Sequence, residues 1–364
     1  MKIYSCQNCG NSLYFENTSC LKCKYSVGFM PEEFSLLTLR PFDQNGVFSK
    51  VKNHRKKYKY CENHQHGVCN WLIPAHQDKP YCRACELNNI VPPLNDDEVK
   101  TKWEGIEKAK HRLAYSLLKL NLPLYPKDED SEVDNGGLAF DFLSPKYTEK
   151  PVMTGHANGL ITINIVEANE AEMVKNKVEM GEKYRTLLGH FRHEVGHYYW
   201  EVLIRDNPKN LAKFRLLFGD ERESYQEALK VYYSIVTPKT WTEEYISKYA
   251  TAHPWEDWAE TWAHYLHIMD TLETASYFNI AIKPKGVKRL LMSTSSIPDP
   301  YKIKDFQKIV DMWFPLSFAV NSLNRSMGYQ DFYPFVFSNK IIEKLSFIHE
   351  VTHQPRVLRH LSGA

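Results

Sequence analysis

The sequence predicts an α+β protein, with two small cysteine-built modules at the front and a larger, mostly helical domain with a short sheet behind them. Three observations carry that expectation. All eight cysteines lie at or before Cys85. Behind them, apolar residues recur at spacings of three, four and seven, the period of a helix with one buried face. One later stretch, residues 159–169, alternates apolar and polar residues in the manner of a half-buried strand.

The bulk properties narrow the function classes. A chain of 364 residues is long enough for two or three domains and a sizeable core. With 43% hydrophobic and 25% charged residues the composition is that of an ordinary globular protein. A net charge of +2 gives no overall pull toward nucleic acid or an anionic membrane, so neither is expected as a partner. No apolar run approaches the roughly 20 residues a membrane helix needs. The opening "MKIYSCQNCG" lacks the apolar stretch of a secretory leader, so a cytoplasmic location is expected.

In a reducing compartment, clustered Cys-x-x-Cys pairs are metal ligands more often than disulfides. Cys6 and Cys9, then ten residues, then Cys20 and Cys23 have zinc-ribbon spacing: each pair closes a tight turn around two thiolates, and two pairs complete a tetrahedron. This first module is expected over residues 1–45. Cys61, Cys69, Cys82 and Cys85 make a second set over residues 46–93, with a less regular first gap. His64 and His66 lie in that gap and could replace a thiolate; the four cysteines are favoured. The basic run "SKVKNHRKKYKY" between the sets is expected as a solvated linker rather than a phosphate-binding patch.

Residues 94–350 are expected to form the larger domain and 351–364 a loose tail. Trp103, Ile106, Leu113, Leu117 and Leu120 mark an amphipathic helix over 96–120, and "NLPLYP" ends it. "KDEDSEVDNGG" reads as a surface loop. The strand "GLITINIVEAN" could line a cleft and pair with an extended peptide, or serve only as core.

The chemistry concentrates in "GHFRHEVGHYYW", on a helix expected over 182–204. His193 and His197, four apart, project from one face and can grip a single ion. Glu194 lies about 100° round the axis, placed as a general base beside the water such a metal would activate. A third ligand is needed. The metzincin continuation is excluded, because Trp200 and Leu203 occupy its Gly and His positions. A ligand about twenty residues on meets Leu216 and Leu217. Asp220, Glu221 and Glu223 nearby read as acids at a helix start.

The better source is "HPWEDWAETWAHYLHIMD", residues 253–270. Trp255, Trp258, Trp262, Tyr265, Leu266 and Met269 form one broad apolar arc, and Glu256, Glu260, His264 and His267 another stripe without Lys or Arg. A buried acidic stripe needs a cation, and a zinc held by two histidines supplies one. Glu256 is favoured as the metal ligand with Glu260 one turn behind, orienting a ligand histidine; the exchanged assignment stays open. Tyr249, one of 22 tyrosines, could donate to the oxyanion formed when water attacks a carbonyl.

With "CNWLIPA", "GLAFDFL", "TGHANGLITINIVEAN", "YRTLLGHFRHEVGHYYW", "FGDERESYQEAL" and "ATAHPWEDWAETWAHYLH", nearly the whole chain resembles a bacterial family of zinc-binding metallopeptidases that carry an N-terminal zinc ribbon. The resemblance implies a zinc-dependent peptidase. The catalytic half is more distantly similar to lethal-factor-like zincins. There a Glu-x-x-x-Glu helix gives its first Glu to the metal and a tyrosine seven residues upstream assists; the corresponding positions are Glu256, Glu260 and Tyr249.

The expectation is therefore a zincin-like metallopeptidase that cleaves peptide bonds, with one catalytic and two structural zinc ions. The alternatives are a non-peptidase zinc amidohydrolase and a zinc-ribbon adaptor with a silent hydrolase domain. The ribbons are expected to recruit substrate or a protein partner, or to pack on the catalytic domain.

Overall fold

The computed structural model describes residues 2–127, 136–169, 186–234, 239–285 and 292–355. At the front, β1 (Tyr4–Ser5) and β2 (Ser12–Leu13) pair across the Cys6–Cys9 turn. Then β3 (Ser26–Met30), β4 (Ser35–Pro41), β5 (Phe48–Lys50), β6 (Asn53–Tyr60) and β7 (Leu72–Pro74) make one antiparallel sheet in chain order. The boundary expected at residue 45 falls inside this sheet, where Leu39 of β4 stands opposite Lys50 of β5. The basic run expected as a linker is β5 and β6. Tyr58 is buried, and the Tyr60 hydroxyl donates to the Val27 carbonyl at 3.0 Å. Glu33 pairs with Lys50 at 2.6 Å and with Lys56 at 3.7 Å.

The front does not stand apart from the rest. Soon after Cys85, β8 (Asn88–Ile90) enters a second sheet with β9 (Ala139–Leu143), β10 (Gly155–Ala157) and β11 (Leu160–Asn164). Its order is β10-β11-β9-β8, with β8 and β11 parallel to β9 and β10 antiparallel to β11. The strand expected as a peptide partner, β11, is thus paired on both sides. Asn158 and Gly159, both with positive φ, close the two-residue turn between β10 and β11, the conformation that Asn-Gly accepts at least cost.

Between the two sheets runs α1 (Asp97–Lys119), capped by the Asp96 carboxylate on the Glu98 and Val99 amides. Its apolar face is buried as its period implies. Glu107, Lys110, His111, Tyr115 and Ser116 are buried too: Asn88 meets Glu107 and Lys110, Cys69 meets His111, Phe15 packs on Tyr115, and Asp270 accepts from Ser116. Phe15, Phe29 and Trp71 from the front meet Tyr115: the Phe15–Phe29 and Phe29–Trp71 ring centroids are 4.9 Å apart, and Phe15–Tyr115 5.4 Å. One hydrophobic core runs through both regions.

The remainder is helical: α2 (Leu187–Trp200), α3 (Pro208–Phe218), α4 (Tyr225–Ser234), α5 (Pro254–Tyr277), α6 (Phe306–Ser326) and α7 (Asn339–His353). The Thr186 hydroxyl caps α2 on the Gly189 amide at 3.0 Å, and a π-turn at Glu201–Arg205 follows the helix. Residues 182–185 of the expected helix, most of the acidic loop at 127–137 and residues 356–364 of the expected tail lie outside the described residues. Residues 351–353 belong to the last turn of α7 rather than to a tail, because Val351 and Thr352 are buried against the core.

Helices α2 and α5 touch backbone to backbone at Gly196. A Cβ there would sit 3.0 Å from Ala259 Cα and 3.3 Å from Trp262 Cβ. Trp258 Nε1 donates to the Gly196 carbonyl at 2.9 Å. The arc of Trp258, Trp262, Tyr265, Leu266 and Met269 is fully buried, each side chain contributing about 1.5–3 kcal/mol. Aromatic burial, then, holds the two helices together and leaves their polar edges facing each other.

Candidate functional site

Those polar edges carry the expected residues. His193, Glu194 and His197 come from α2, and Glu256 and Glu260 from the first turns of α5, where His253 caps the helix and Pro254 opens it. His193 Nδ1 is 2.7 Å from Glu260 Oε1. The proton on Nδ1 faces that carboxylate, so Nε2 can present its lone pair on the other side. There it lies 3.1 Å from Glu256 Oε2 and 3.3 Å from His197 Nε2, which is 3.6 Å from Glu256 Oε1. His193, His197 and Glu256 each offer a ligand atom, all within 4.8 Å of one another. Glu256 is 1% exposed, and its Oε2 has no aligned hydrogen-bond donor despite the nearby imidazole. Lone pairs converge on a buried point, and the donor set, two imidazoles and a carboxylate, is one that suits zinc.

The electrostatics agree. Burial disfavours charge on His193, yet the Glu256 and Glu260 carboxylates beside it outweigh that and hold its pKa well above the ordinary value. The place attracts positive charge. On His197 burial prevails, lowering its pKa and keeping a neutral, ligand-competent ring.

Three residues that sequence reasoning passed over complete the surroundings. His190 Nε2 stands 3.0 Å from Glu194 Oε1, and its Nδ1 bonds Glu167, from the turn after β11. Burial pushes the Glu194 pKa up, but the His190 hydrogen bond and the neighbouring imidazoles bring it down to about 2. Glu194 is therefore an ionised carboxylate with one oxygen held. The i, i+4 spacing of His190 and Glu194 was a visible signal; Glu167 had none. Tyr225, at the start of α4, donates to Glu256 Oε1 at 2.7 Å. Tyr249 packs its ring 5.9 Å from that of His193. Burial raises the pKa of Tyr249 far above the ordinary phenol value, so it stays a donor.

The other acids and histidines are engaged elsewhere. Glu221 pairs with Arg215 and Asp220 with Arg222. His264 Nδ1 accepts from the Tyr333 hydroxyl at 2.6 Å, and His267 contacts Arg192.

The cysteines form two groups of four, and none is in a disulfide. Cys6–Cys23 and Cys9–Cys20 sulfurs are 3.6 Å apart and Cys69–Cys82 sulfurs 3.7 Å, near the ~3.8 Å edge of a tetrahedron with ~2.3 Å zinc–sulfur bonds. Backbone amides of Trp71 and Cys82 donate to Cys69 and Cys61 sulfurs at 3.4 Å. His64 lies beside the second group rather than in it, stacked on Tyr60, with Nδ1 2.8 Å from the Cys69 carbonyl oxygen.

A family model described as "Putative zinc-binding metallo-peptidase" matches residues 99–351, and one described as "zinc-ribbon domain" matches residues 3–96. The chain belongs to this metallopeptidase family. Uncharacterized proteins of Mycobacterium bovis and of Mycobacterium tuberculosis are each 39% identical over 354 residues, covering 97% of this chain and 96% of the relative. No solved structure matches the chain. The metallopeptidase match covers α1 through most of α7 and contains every residue of the histidine site. The zinc-ribbon match contains all eight cysteines. Among the described residues, no helix is long and apolar enough to cross a membrane.

Proposed function

We propose that the chain is a zinc-dependent peptidase of zincin type whose reaction centre lies between α2 and α5. The observation that carries this reading is the buried Glu256 carboxylate, whose Oε2, without an aligned donor, lies 3.1 Å from His193 Nε2 and whose Oε1 lies 3.6 Å from His197 Nε2. These three residues would hold the ion and leave a position open, as catalytic zinc sites do. Glu260 would orient His193 through Nδ1. Bound there, zinc supplies Lewis acidity, making water a better nucleophile near neutral pH and drawing charge from a carbonyl oxygen.

The chain's own groups would do the rest. Glu194, ionised and steadied by His190, takes a proton from the attacking water as the new C–O bond forms. It returns that proton to the amine as the C–N bond breaks. Tyr249, protonated and beside His193, donates a hydrogen bond to the oxyanion. An extended peptide would pair with β10, the outer strand of its sheet among the described residues, where His156 stacks 6.1 Å from His197. The cysteine groups would hold two structural zinc ions.

Glu194→Gln tests the reading. Peptide hydrolysis should fall roughly 100- to 10,000-fold with the metal content unchanged. An active Glu194→Gln protein would refute the role of Glu194.

A further inference from the structure

Zinc-ribbon centres are commonly closed by their own cysteines, yet the second group here meets a residue from another part of the chain. His111, on α1, places Nε2 3.2 Å from Cys69 Sγ and 3.6 Å from Cys85 Sγ. Its Nδ1 is 2.6 Å from the Glu107 carbonyl oxygen. Both ring nitrogens thus face acceptors, and Nε2 is the one placed to donate toward the sulfurs. We propose that His111 is a working part of the second metal centre. It donates an N–H hydrogen bond to the thiolates of Cys69 and Cys85 and fastens the zinc-filled module to the first helix of the peptidase half.

The charge balance of the site argues for it. Four thiolates around Zn²⁺ leave two net negative charges, and Cys61, Cys69, Cys82 and Cys85 are all at most 2% exposed. Such a buried dianion is costly unless cations or N–H donors meet it. The two backbone amides noted above supply part of that need. His111 supplies a further N–H in direct contact, while the buried Lys110 is matched by Glu107, whose Oε1 it meets at 2.8 Å and whose Oε2 lies 3.8 Å from Cys85 Sγ. Trp71 packs against the His111 ring at 5.3 Å and keeps water out.

The same helix then reaches the histidine site. One turn on, Tyr115 donates to Glu273 and Ser116 to Asp270, each at 2.8 Å, both acceptors being on α5. Asp270 also receives Arg192, the neighbour of His193 on α2. The second metal centre is in this way braced against the helix pair that carries the histidine site. This holds whether or not that site hydrolyses peptides; its premise is zinc at the four cysteines.

The test uses the full-length protein and a colorimetric zinc chelator. His111→Leu keeps the bulk and removes the donor, whereas His111→Gln keeps an N–H. Release of one zinc should be roughly 10- to 100-fold faster in His111→Leu, as for other residues that hydrogen-bond metal ligands, and clearly slower in His111→Gln than in His111→Leu. In the cobalt-substituted protein, His111→Leu should shift the thiolate charge-transfer band while the four-sulfur ligand-field bands stay. Equal release in wild type and His111→Leu with an unmoved charge-transfer band would overturn the proposal. So would ligand-field bands of a three-sulfur, one-nitrogen centre in the wild type, which would make His111 a ligand. Cysteines that hold no zinc would remove its premise.

Discussion

The cysteine-built front and the histidine site are both gathered around a point suited to a cation, but they are made in different ways. In the front, the donors sit on short loops. Much of what fixes those loops is the ligation itself, as in other small zinc modules. At the histidine site, the donors ride on two long helices already clamped by Trp258, Trp262, Tyr265 and the Gly196 contact. There the scaffold comes first and the ion second. Under the proposed function, the difference separates a metal that would build structure from one that would be free to do chemistry.

Paired substitutions give the largest contrast. Cys82→Ser should lose one zinc and lower the thermal midpoint by roughly 10 °C or more, since a structural zinc contributes many kcal/mol. Glu256→Gln should also lose one zinc but move the midpoint by only a few degrees. Metal analysis with thermal melts checks both, and equal destabilisation by the two would erase the distinction.

A smaller effect sharpens the same contrast from the scaffold side. Gly196→Ala forces a methyl to 3.0 Å from Ala259 Cα and must push α2 and α5 apart. Overpacking of this kind costs about 1–3 kcal/mol, and the parting helices should weaken zinc at the histidine site while leaving both cysteine-held ions in place. Stability by denaturant titration and zinc retention report the two halves of that expectation. A variant that keeps its histidine-site zinc at wild-type affinity would show that the close crossing does not set the site.

The two regions also differ in how far they could be read from sequence. Cysteine pairs separated by two residues announce themselves because their ligands are local. So does His193–His197, one turn apart on one helix. The α1 period was equally plain, and α1 follows it. What was hidden is tertiary. Nothing near His111 signals a cysteine group, and nothing near Tyr225 signals Glu256. The five-stranded sheet was obscured by charge, although Tyr58 and Tyr60 alternate with Lys57 and Lys59 at the period of a half-buried strand. The polar side of α1 looked like a solvent face, and only the front module packed on it shows why Glu107 and His111 are buried.

The central claim is a cation clasped between α2 and α5 in addition to two held by cysteine. Elemental analysis of the purified full-length protein, beside its His193→Ala variant, addresses it most directly. The account predicts three zinc ions per chain falling to two, with the fold retained. Two ions in the wild type and the same two in His193→Ala would contradict it.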